Sequence, residues 1–383
     1  MGMKTILVLF GGESPEYEVA LQSAAYIYRS LKATRSYHLI LCGIKKDGTF
    51  YHYTGPIEKL ENNTWWADEK DLAEVFWPLS EPGKGPGYYV LNKDKEGAGP
   101  GSLGSRVDFD LVFPVLHGSN GEDGRLQGFL ELCHVPFVGC ATLASAVSMD
   151  KLQTKINAAY LKVPQLPYVV LEVCDFAKDP MSCVLDIEDA LSYPCFIKPA
   201  NGGSSLGISK ANNREEAKKA LAEAFTYDHK VLVEEDGAGR EIELAVLGNA
   251  RTGEVLVSMP GEIKVHADFY DYQSKYVDDV CTFHIPADLP HGVVDKLQDY
   301  AKQIFQQNDG DGLARVDFFY REDRKPNIVF NEINTMPGFT QISMYPKMMA
   351  TQGLDGPTLC QKLVELGFER YEDGNHYQAQ RQH

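Results

Sequence analysis

The chain is short of positive charge. Its 383 residues hold 37 lysines and arginines against 54 aspartates and glutamates, a formal charge of −17. A surface of that sign repels nucleic-acid phosphates and anionic lipid headgroups, so neither is expected as a partner. No apolar run reaches the length of a membrane span, and no membrane association is expected. The opening MGMKTILVLFGGESPE has one lysine and a short apolar run, but two glycines follow at once and no small-residue cleavage site is present. A buried first strand is therefore expected there in place of a secretory leader, and Gly2 is not expected to carry a myristoyl group. The eight cysteines are scattered without a CxxC pair, which argues against a dithiol or zinc site and for reduced core thiols of a cytoplasmic protein. A Walker loop and a dinucleotide fingerprint are missing too, so any nucleotide must be held in another way.

What is present is a globular chain, 44% hydrophobic and long enough for two or three domains. Thr5–Phe10 is a continuous apolar run, as in a parallel strand covered on both faces. Gly11-Gly12 turns the chain, and Ser14 can cap a helix starting near Glu16 that carries Val19, Leu21, Ala24, Ala25 and Leu31. Tyr37–Ile44 reads as a second strand, so the chain opens as a doubly wound α/β domain with its ligand at the strands' carboxyl ends. Phe50 to Arg106 reads as an irregular β excursion and loop. Asp110–Leu116 is again a strand, ended by His117-Gly118, and Arg125 begins a helix with Leu126, Phe129, Leu130 and Leu132 on one face. His117 stands where an anion would bind, although a satisfied structural histidine fits equally well.

From Thr142 a helix capped near Ser148 or Asp150 carries Lys151 in its first turn. A cation there opposes the helix dipole, so it is either surface variation or a phosphate contact. The run YPCFIKPANGGSSLGISK follows. Its strand Pro194–Pro199 carries Lys198, and its Gly-Gly-Ser-Ser loop leads to a strand starting at Leu206. Such a loop is a hairpin tip or a cradle whose amides approach phosphates. Glu215–Phe225 is helical, Lys230–Asp236 is a strand, and REIELAVLG sets Glu241 and Glu243 on one face with Ile242 and Leu244 on the other.

The densest chemistry lies in GLARVDFFYREDRKPNIVFNEINTMPGFT, residues 312–340. Two alternating strands flank a charged turn ending in Pro326, so an antiparallel hairpin is expected. Residues two apart on a strand share a face, which brings Arg315, Asp317, Glu332 and Asn334 together. Hard oxygen donors of this kind suit Mg²⁺ beside a phosphate. A solvated charged face fits the same pattern, but Glu332 between a buried-looking IVF run and a Pro-Gly turn favours the metal.

In order and combination, GGESPEYEV, LHGSNGEDG, SMDKLQTK, IKPANGGSSLG, FYDYQSKY, ARVDF and NEINTMPGFT resemble the D-alanine–D-alanine ligases of the ATP-grasp superfamily, from Lys4 to about Leu366. The resemblance implies an α/β (α+β) ATP-grasp fold in three domains: an N-terminal α/β domain (1–140), a central domain (141–235), a C-terminal domain (236–370), then a polar, frayed tail (371–383). ATP would lie between the central and C-terminal sheets. Lys151 and Lys198 match the phosphate-binding lysines, and Gly203, Ser204 and Ser205 the loop closing over the phosphates. Glu234 and Glu235 match the adenine hinge, and Glu241 the ribose acid. Asp317, Glu332 and Asn334 match ligands of two Mg²⁺ ions, with Mn²⁺ as an alternative ion. Arg315 matches the arginine steadying the acyl-phosphate and tetrahedral intermediates, and Gly338 an oxyanion donor. Glu16 would hold the first ammonium beside His117. Lys275 and Tyr276 would sit in a lid at about Lys264 to His284, with Tyr276, Ser204 and Glu16 forming a network. Ser343 and Met344 would approach the second amino acid.

The implied activity is ATP-dependent joining of two D-alanines through D-alanyl phosphate for peptidoglycan precursors, by a cytoplasmic homodimer. Tyr17 departs from the usual histidine or arginine after the first glutamate, and tyrosine also occurs there in ligases that use D-serine. Lys275-Tyr276, in place of the histidine-containing lid of D-lactate-joining relatives, favours an amino acid at the second site, and the apolar Met344 a small apolar one, because a hydroxyl needs a polar partner; D-alanine twice is therefore expected. A D-alanine–D-serine ligase is the alternative, and a non-catalytic ATP-binding module a more distant one.

Overall fold

A computed structural model describes residues 2–92, 102–203, 205–265 and 281–380. The first apolar run forms strand β1 (Lys4–Gly11), whose Ile6–Phe10 are fully buried. A helix over Tyr17–Thr34 returns the chain to β2 (Tyr37–Ile44), which pairs with β1 in parallel. That helix turns Leu21, Ala24, Ala25 and Leu31 to the core, as the 3.6-residue period requires. The excursion after Phe50 is more regular than expected. Strands β3 (Phe50–Tyr53), β4 (Leu72–Phe76), β5 (Gly87–Leu91) and β6 (Leu103–Asp108) extend the same sheet by antiparallel pairing. Strand β7 (Leu111–Val115) pairs in parallel with the other side of β1, giving the order β6-β5-β4-β3-β2-β1-β7. The carboxyl ends of β1 and β7 thus adjoin at the switch point of the sheet, where ligands bind in open α/β folds.

The second sheet is antiparallel with order β10-β9-β11-β8: β8 (Tyr168–Glu172), β9 (Cys195–Pro199), β10 (Ser209–Ala211) and β11 (Lys230–Glu235). Its own core joins Leu171, Ile197, Val231 and Val233 to helices Pro180–Ala190 and Arg214–Ala224. The third sheet, also antiparallel, runs β15-β14-β12-β16-β17 with β13 (Val255–Val257) beside β12 (Arg240–Asn249). Its other members are β14 (Gly261–Val265), β15 (Cys281–His284), β16 (Asp311–Tyr320) and β17 (Ile328–Asn334). The first and third sheets share one core, in which Ile6, Val8 and Leu31 meet Leu247, Leu313, Met348, Leu359 and Leu363. None of the second sheet's core residues belongs to it.

Three further expectations shift. The strand predicted from Leu206 starts at Ser209, because Ser205 (φ 59°) and Gly207 (φ 69°) hold a turn. Leu132 is exposed: six residues beyond Leu126 it has rotated off the face that buries Leu126 and Leu130. The end of the chain forms one helix over Gly356–Gln380 in place of a frayed tail. Arg370 stacks 4.0 Å from the centre of the Phe137 ring and donates to the Phe137 carbonyl at 3.0 Å, and Tyr371 donates to the His134 carbonyl at 2.9 Å. These two polar side chains are anchors on carbonyls of the first sheet's rim. Among the described residues no helix is long and apolar enough to cross a membrane.

Candidate active site

The predicted hairpin forms with the register its alternation demands. Arg315 lies opposite Asn334 and Asp317 opposite Glu332, with a bulge between Asp317 and Phe318. Inward Val316 and Phe318 are buried in the core below. The Arg315 guanidinium grips Asp317 through Nε–Oδ1 (2.8 Å) and Nη2–Oδ2 (2.7 Å) and lies 3.3 Å from Glu243 Oε1. Asn334, in the orientation that satisfies its amide, donates to Glu122 Oε2 at 2.9 Å and accepts from Arg315 Nη2 at 3.2 Å. Burial works against the guanidinium charge, but Asp317, Glu243 and Glu332 hold its pKa well above the ordinary value. Glu243, opposite Asp317 across β12 and β16, had the right face in the sequence but no role assigned.

The lysines come from the second sheet and the helix before it. Asp150 caps helix Lys151–Tyr160 by accepting from the Leu152 and Gln153 amides, which places Lys151 at its first position. The Lys151 amide donates to Ala200 O at 2.9 Å, and its Nζ donates to Gly202 O at 2.7 Å, so this residue props the glycine loop. Burial lowers its pKa, and Glu332 partly offsets that. Lys198 on β9 reaches Glu234 Oε2 at 2.7 Å. Burial opposes the Lys198 charge, yet Glu234 first, then Glu332 and Glu241, raise its pKa. Glu234 is ion-paired on its other oxygen with Lys155, itself fully buried. Burial pushes against the Glu234 charge, but the two lysines hold its pKa down at about 2. Lys155 was not foreseen. Its signal is the spacing of one helical turn from Lys151.

Two cavities meet over this hairpin. One is lined by Glu16, His117, Gly203, Gly338, Ser343 and Met344. The other is lined by Leu166, Phe196, Lys198, Glu235, Glu241 and Phe319. Lys151, Ser205, Glu243, Arg315 and Glu332 line both. Glu234 lines neither, since it points from β11 to the lysines behind while its neighbour Glu235 faces the second cavity. Phe196 and Phe319, placed only on strands by the sequence, and Leu166, given no role there, supply the second cavity's apolar walls beside its charges.

Glu16, at the start of the first helix, presses Oε2 towards Gly118 and Gly203, where an added Cβ would collide with it. The glycine loop and the turn after β7 thus converge on one carboxylate. His117 is buried, and both ring nitrogens are engaged: Nε2 with Ser23 Oγ (2.9 Å) and Nδ1 with Met336 O (2.9 Å). Burial disfavours its charged form, but Glu122 and Glu16 raise its pKa above the usual value. Ser343 Oγ accepts from the Thr340 amide at 3.0 Å and shares a hydrogen bond with Thr340 Oγ1 at 2.8 Å, closing the turn that follows Gly338. Tyr17 does not face the cavity. It is buried with its hydroxyl accepting from Trp65 Nε1 at 2.8 Å, so the tyrosine weighed as a substrate marker belongs to the core. Ser204, Lys275 and Tyr276, with most of the lid, lie outside the described residues; Ile263 and Phe283 from the flanking strands line the first cavity.

No three side chains of Asp, Glu, His or Cys stand at metal-ligating spacing among the described residues. The hairpin offers two carboxylates and an amide, the donor set with which Mg²⁺ binds when phosphate and water oxygens complete its shell. Glu243, Asp317 and Glu332 around one guanidinium leave this face negative, so a cation fits it.

Comparison with known proteins agrees along nearly the whole chain. Residues 5–140 match the family described as D-ala D-ala ligase N-terminus, and residues 158–365 match D-ala D-ala ligase C-terminus. A D-alanine–D-alanine ligase of Acetivibrio thermocellus is 41% identical, covering 97% of this chain and 97% of that one. One of Ruminiclostridium cellulolyticum is 44% identical, again over 97% of each. Among solved structures, the VanG D-Ala:D-Ser ligase from Enterococcus faecalis superposes with a TM-score of 0.82 at 38% identity, over 96% of this chain and all of that one. The D-alanine–D-alanine ligase from Coxiella burnetii gives 0.80 at 32% identity over 99% of each.

Proposed function

The chain belongs to the D-alanine–D-alanine ligase family, and on that premise we propose that its two joined cavities carry out ATP-dependent ligation of two D-alanines. The observation that carries this reading is the shared wall. Lys151, Arg315 and Glu332 border both the cavity suited to a nucleotide and the cavity suited to amino acids, so a phosphoryl group passing between them stays among the same charges.

A carboxylate is a poor electrophile. Its conversion to an acyl phosphate needs charge neutralisation more than covalent help from the protein. In the proposal Lys151 and Lys198 hold phosphates, Gly203 to Ser205 lie over them, Glu235 edges the adenine and Glu241 takes the ribose. Glu16 holds the ammonium of the first D-alanine. Arg315 supports the acyl phosphate as the second amine attacks the carbonyl, and the Gly338 amide meets the oxygen that becomes negative. Asp317, Glu332 and Asn334 would hold two Mg²⁺ ions, which neutralise phosphate charge when bound. Lys275 and Tyr276, with Ser204, belong to the closing lid that keeps water from the acyl phosphate. The division at residues 140 and 235, the homodimer, the cytoplasmic location and the role in peptidoglycan precursor synthesis complete the reading.

The 38% identity to a D-Ala:D-Ser ligase keeps D-serine as the second reading. Two features weigh against it. Met344 is apolar and buried at the far wall, and the Ser343 hydroxyl is already committed to Thr340. A D-serine hydroxyl beside Met344 would meet an apolar side chain in place of a polar anchor.

The test is phosphate release with products identified by mass, using D-alanine, D-serine, D-lactate and L-alanine, alone and each paired with D-alanine. Dipeptide from D-alanine alone is expected. Product only from the D-alanine and D-serine mixture would transfer the function to the second reading, and silence throughout would remove the enzyme assignment.

A further inference from the structure

Ser23 sits on the first helix, fully buried, with no part in the scheme above. Its hydroxyl nonetheless joins three parts of the molecule. The Phe339 amide donates to Ser23 Oγ at 3.2 Å, Ser23 Oγ lies 2.9 Å from His117 Nε2, and His117 Nδ1 lies 2.9 Å from Met336 O. One arrangement of protons satisfies every group: Phe339 N–H to Ser23, Ser23 O–H to Nε2, and Nδ1–H to Met336 O. Protonation of His117 reverses only the middle bond, with Ser23 Oγ then accepting twice, so the chain holds in either state.

The two ends of this chain are the residues that bracket Pro337-Gly338. It therefore clasps the turn that presents the Gly338 amide, binding it to the first helix and to the end of β7. Packing holds the Phe339 ring, 6.1 Å from that of Tyr26 and 5.7 Å from that of Tyr345, but leaves space beside Pro337. A small apolar cavity bordered by Ile27, Phe113, Val138, Leu313, Pro337 and Phe339 lies behind it, and a void supplies no contacts on its side. The Thr340–Ser343 bonds tie down the turn's far end only.

We propose that Ser23, acting through His117, is a positioning residue that holds the Gly338 amide where the second, acyl-transfer step needs it. The proposal rests on the reading of Gly338 as an oxyanion donor. It separates the two half-reactions. Phosphoryl transfer to the first carboxylate relies on lysines and the hairpin, whereas attack by the second amine relies on the clasped turn. Loosening the turn leaves acyl phosphate formed but slowly used, and water then takes the acyl group, returning D-alanine and phosphate.

Ser23→Ala tests this with little effect on the helix, because alanine is the better helix former. Expected are a fall in dipeptide turnover of about tenfold, since small misplacements of catalytic groups are costly, and a Michaelis constant for ATP within about twofold of the original. Phosphate released per dipeptide should rise from about one to about two or more, as the unshielded intermediate is lost to water. A variant that is merely less well folded would lose phosphate and dipeptide together, and an unchanged ratio overturns the proposal. Hydrogen exchange supplies a readout independent of activity. In the unmodified protein the Phe339 amide should be protected like those of β17, and in Ser23→Ala it should exchange faster. A freely exchanging Phe339 amide in the unmodified protein overturns the clasp outright. Absence of dipeptide from the unmodified enzyme would instead overturn the ligase reading, leaving the exchange result to judge the clasp.

Discussion

Arg315 and Asp317 stand two residues apart on β16 and close on each other with two nearly parallel hydrogen bonds of 2.8 and 2.7 Å. Only a planar fork makes such a pair, and a lysine ammonium cannot reproduce it. Arg315→Lys keeps the charge and should still lower turnover by about 10²-fold, the usual cost of losing a fixed donor at a developing charge. Dipeptide formation by mass, with folding followed by circular dichroism, checks this. Activity within about fivefold would mean that charge alone suffices there.

Glu332 lies opposite Asp317 and borders both cavities. Glu332→Gln keeps the shape and removes a negative oxygen donor. Turnover should fall by at least about 10²-fold, and half-saturation should need more Mg²⁺, because carboxylates dominate its affinity for that ion. A Mg²⁺ titration of the residual activity reads this directly. Lost activity with an unchanged Mg²⁺ requirement would take Glu332 out of the metal site.

Lys155 and Lys198 flank the Glu234 carboxylate from two sides. Lys155→Met leaves a buried carboxylate with one counter-charge where it had two, and should cost about 3 kcal/mol of stability. Chemical denaturation at neutral pH measures it. The sign of the pH effect follows from the low pKa of Glu234, about 2. Its contribution is complete above the unfolded carboxylate value and is lost as pH falls through that window, so the variant should lose most of its deficit in acid.

Asp311 opens β16 with both carboxylate oxygens buried and, among the described residues, without hydrogen-bond partners. Burial drives its pKa up to about 7, against the pull of Arg370 and Arg251. An unfolded aspartate titrates near about 3.9. Between those values the folded chain holds a proton the unfolded chain has released, so stability falls as pH rises through the window, by at most about 1.4 kcal/mol per pH unit. Asp311→Asn should flatten melting temperature against pH in that range. A slope equal to that of the unmodified protein would assign the dependence elsewhere.

The sequence was most legible where local pattern and global packing agree. In β16 and β17 the alternation, with Val316 and Phe318 inward, predicts that Arg315, Asp317, Glu332 and Asn334 meet on one face, whereas the bulge between Asp317 and Phe318 has no signal in that pattern. The opening strand, glycine turn and helix were legible for the same reason. Partners from distant segments were not. That Lys155 would reach Glu234 depends on how the helix from Lys151 docks beside β11, which no local period encodes. The place of Tyr17 was not legible either: its neighbour Glu16 faces the cavity, and one position along a helix turns a side chain by about 100°, here towards Trp65. The final helix was missed because its anchors, Arg370 and Tyr371, are polar and their acceptors lie in a segment more than two hundred residues earlier.

The core shared by the first and third sheets makes reading order a poor guide to mechanical order. Both ends of the chain build one frame, and the last helix is a wall of the first sheet's interior: Leu359, Leu363 and Val364 lie against the same residues as the opening strand. A fragment ending at Cys140 would carry one bare apolar face and should aggregate, and a soluble monomeric fragment of that length would contradict this. The separable piece is the one in the middle, with its own interior and with Lys198 and the glycine loop at its rim. In architectural terms the molecule is a single anvil, interrupted in its sequence by the hammer.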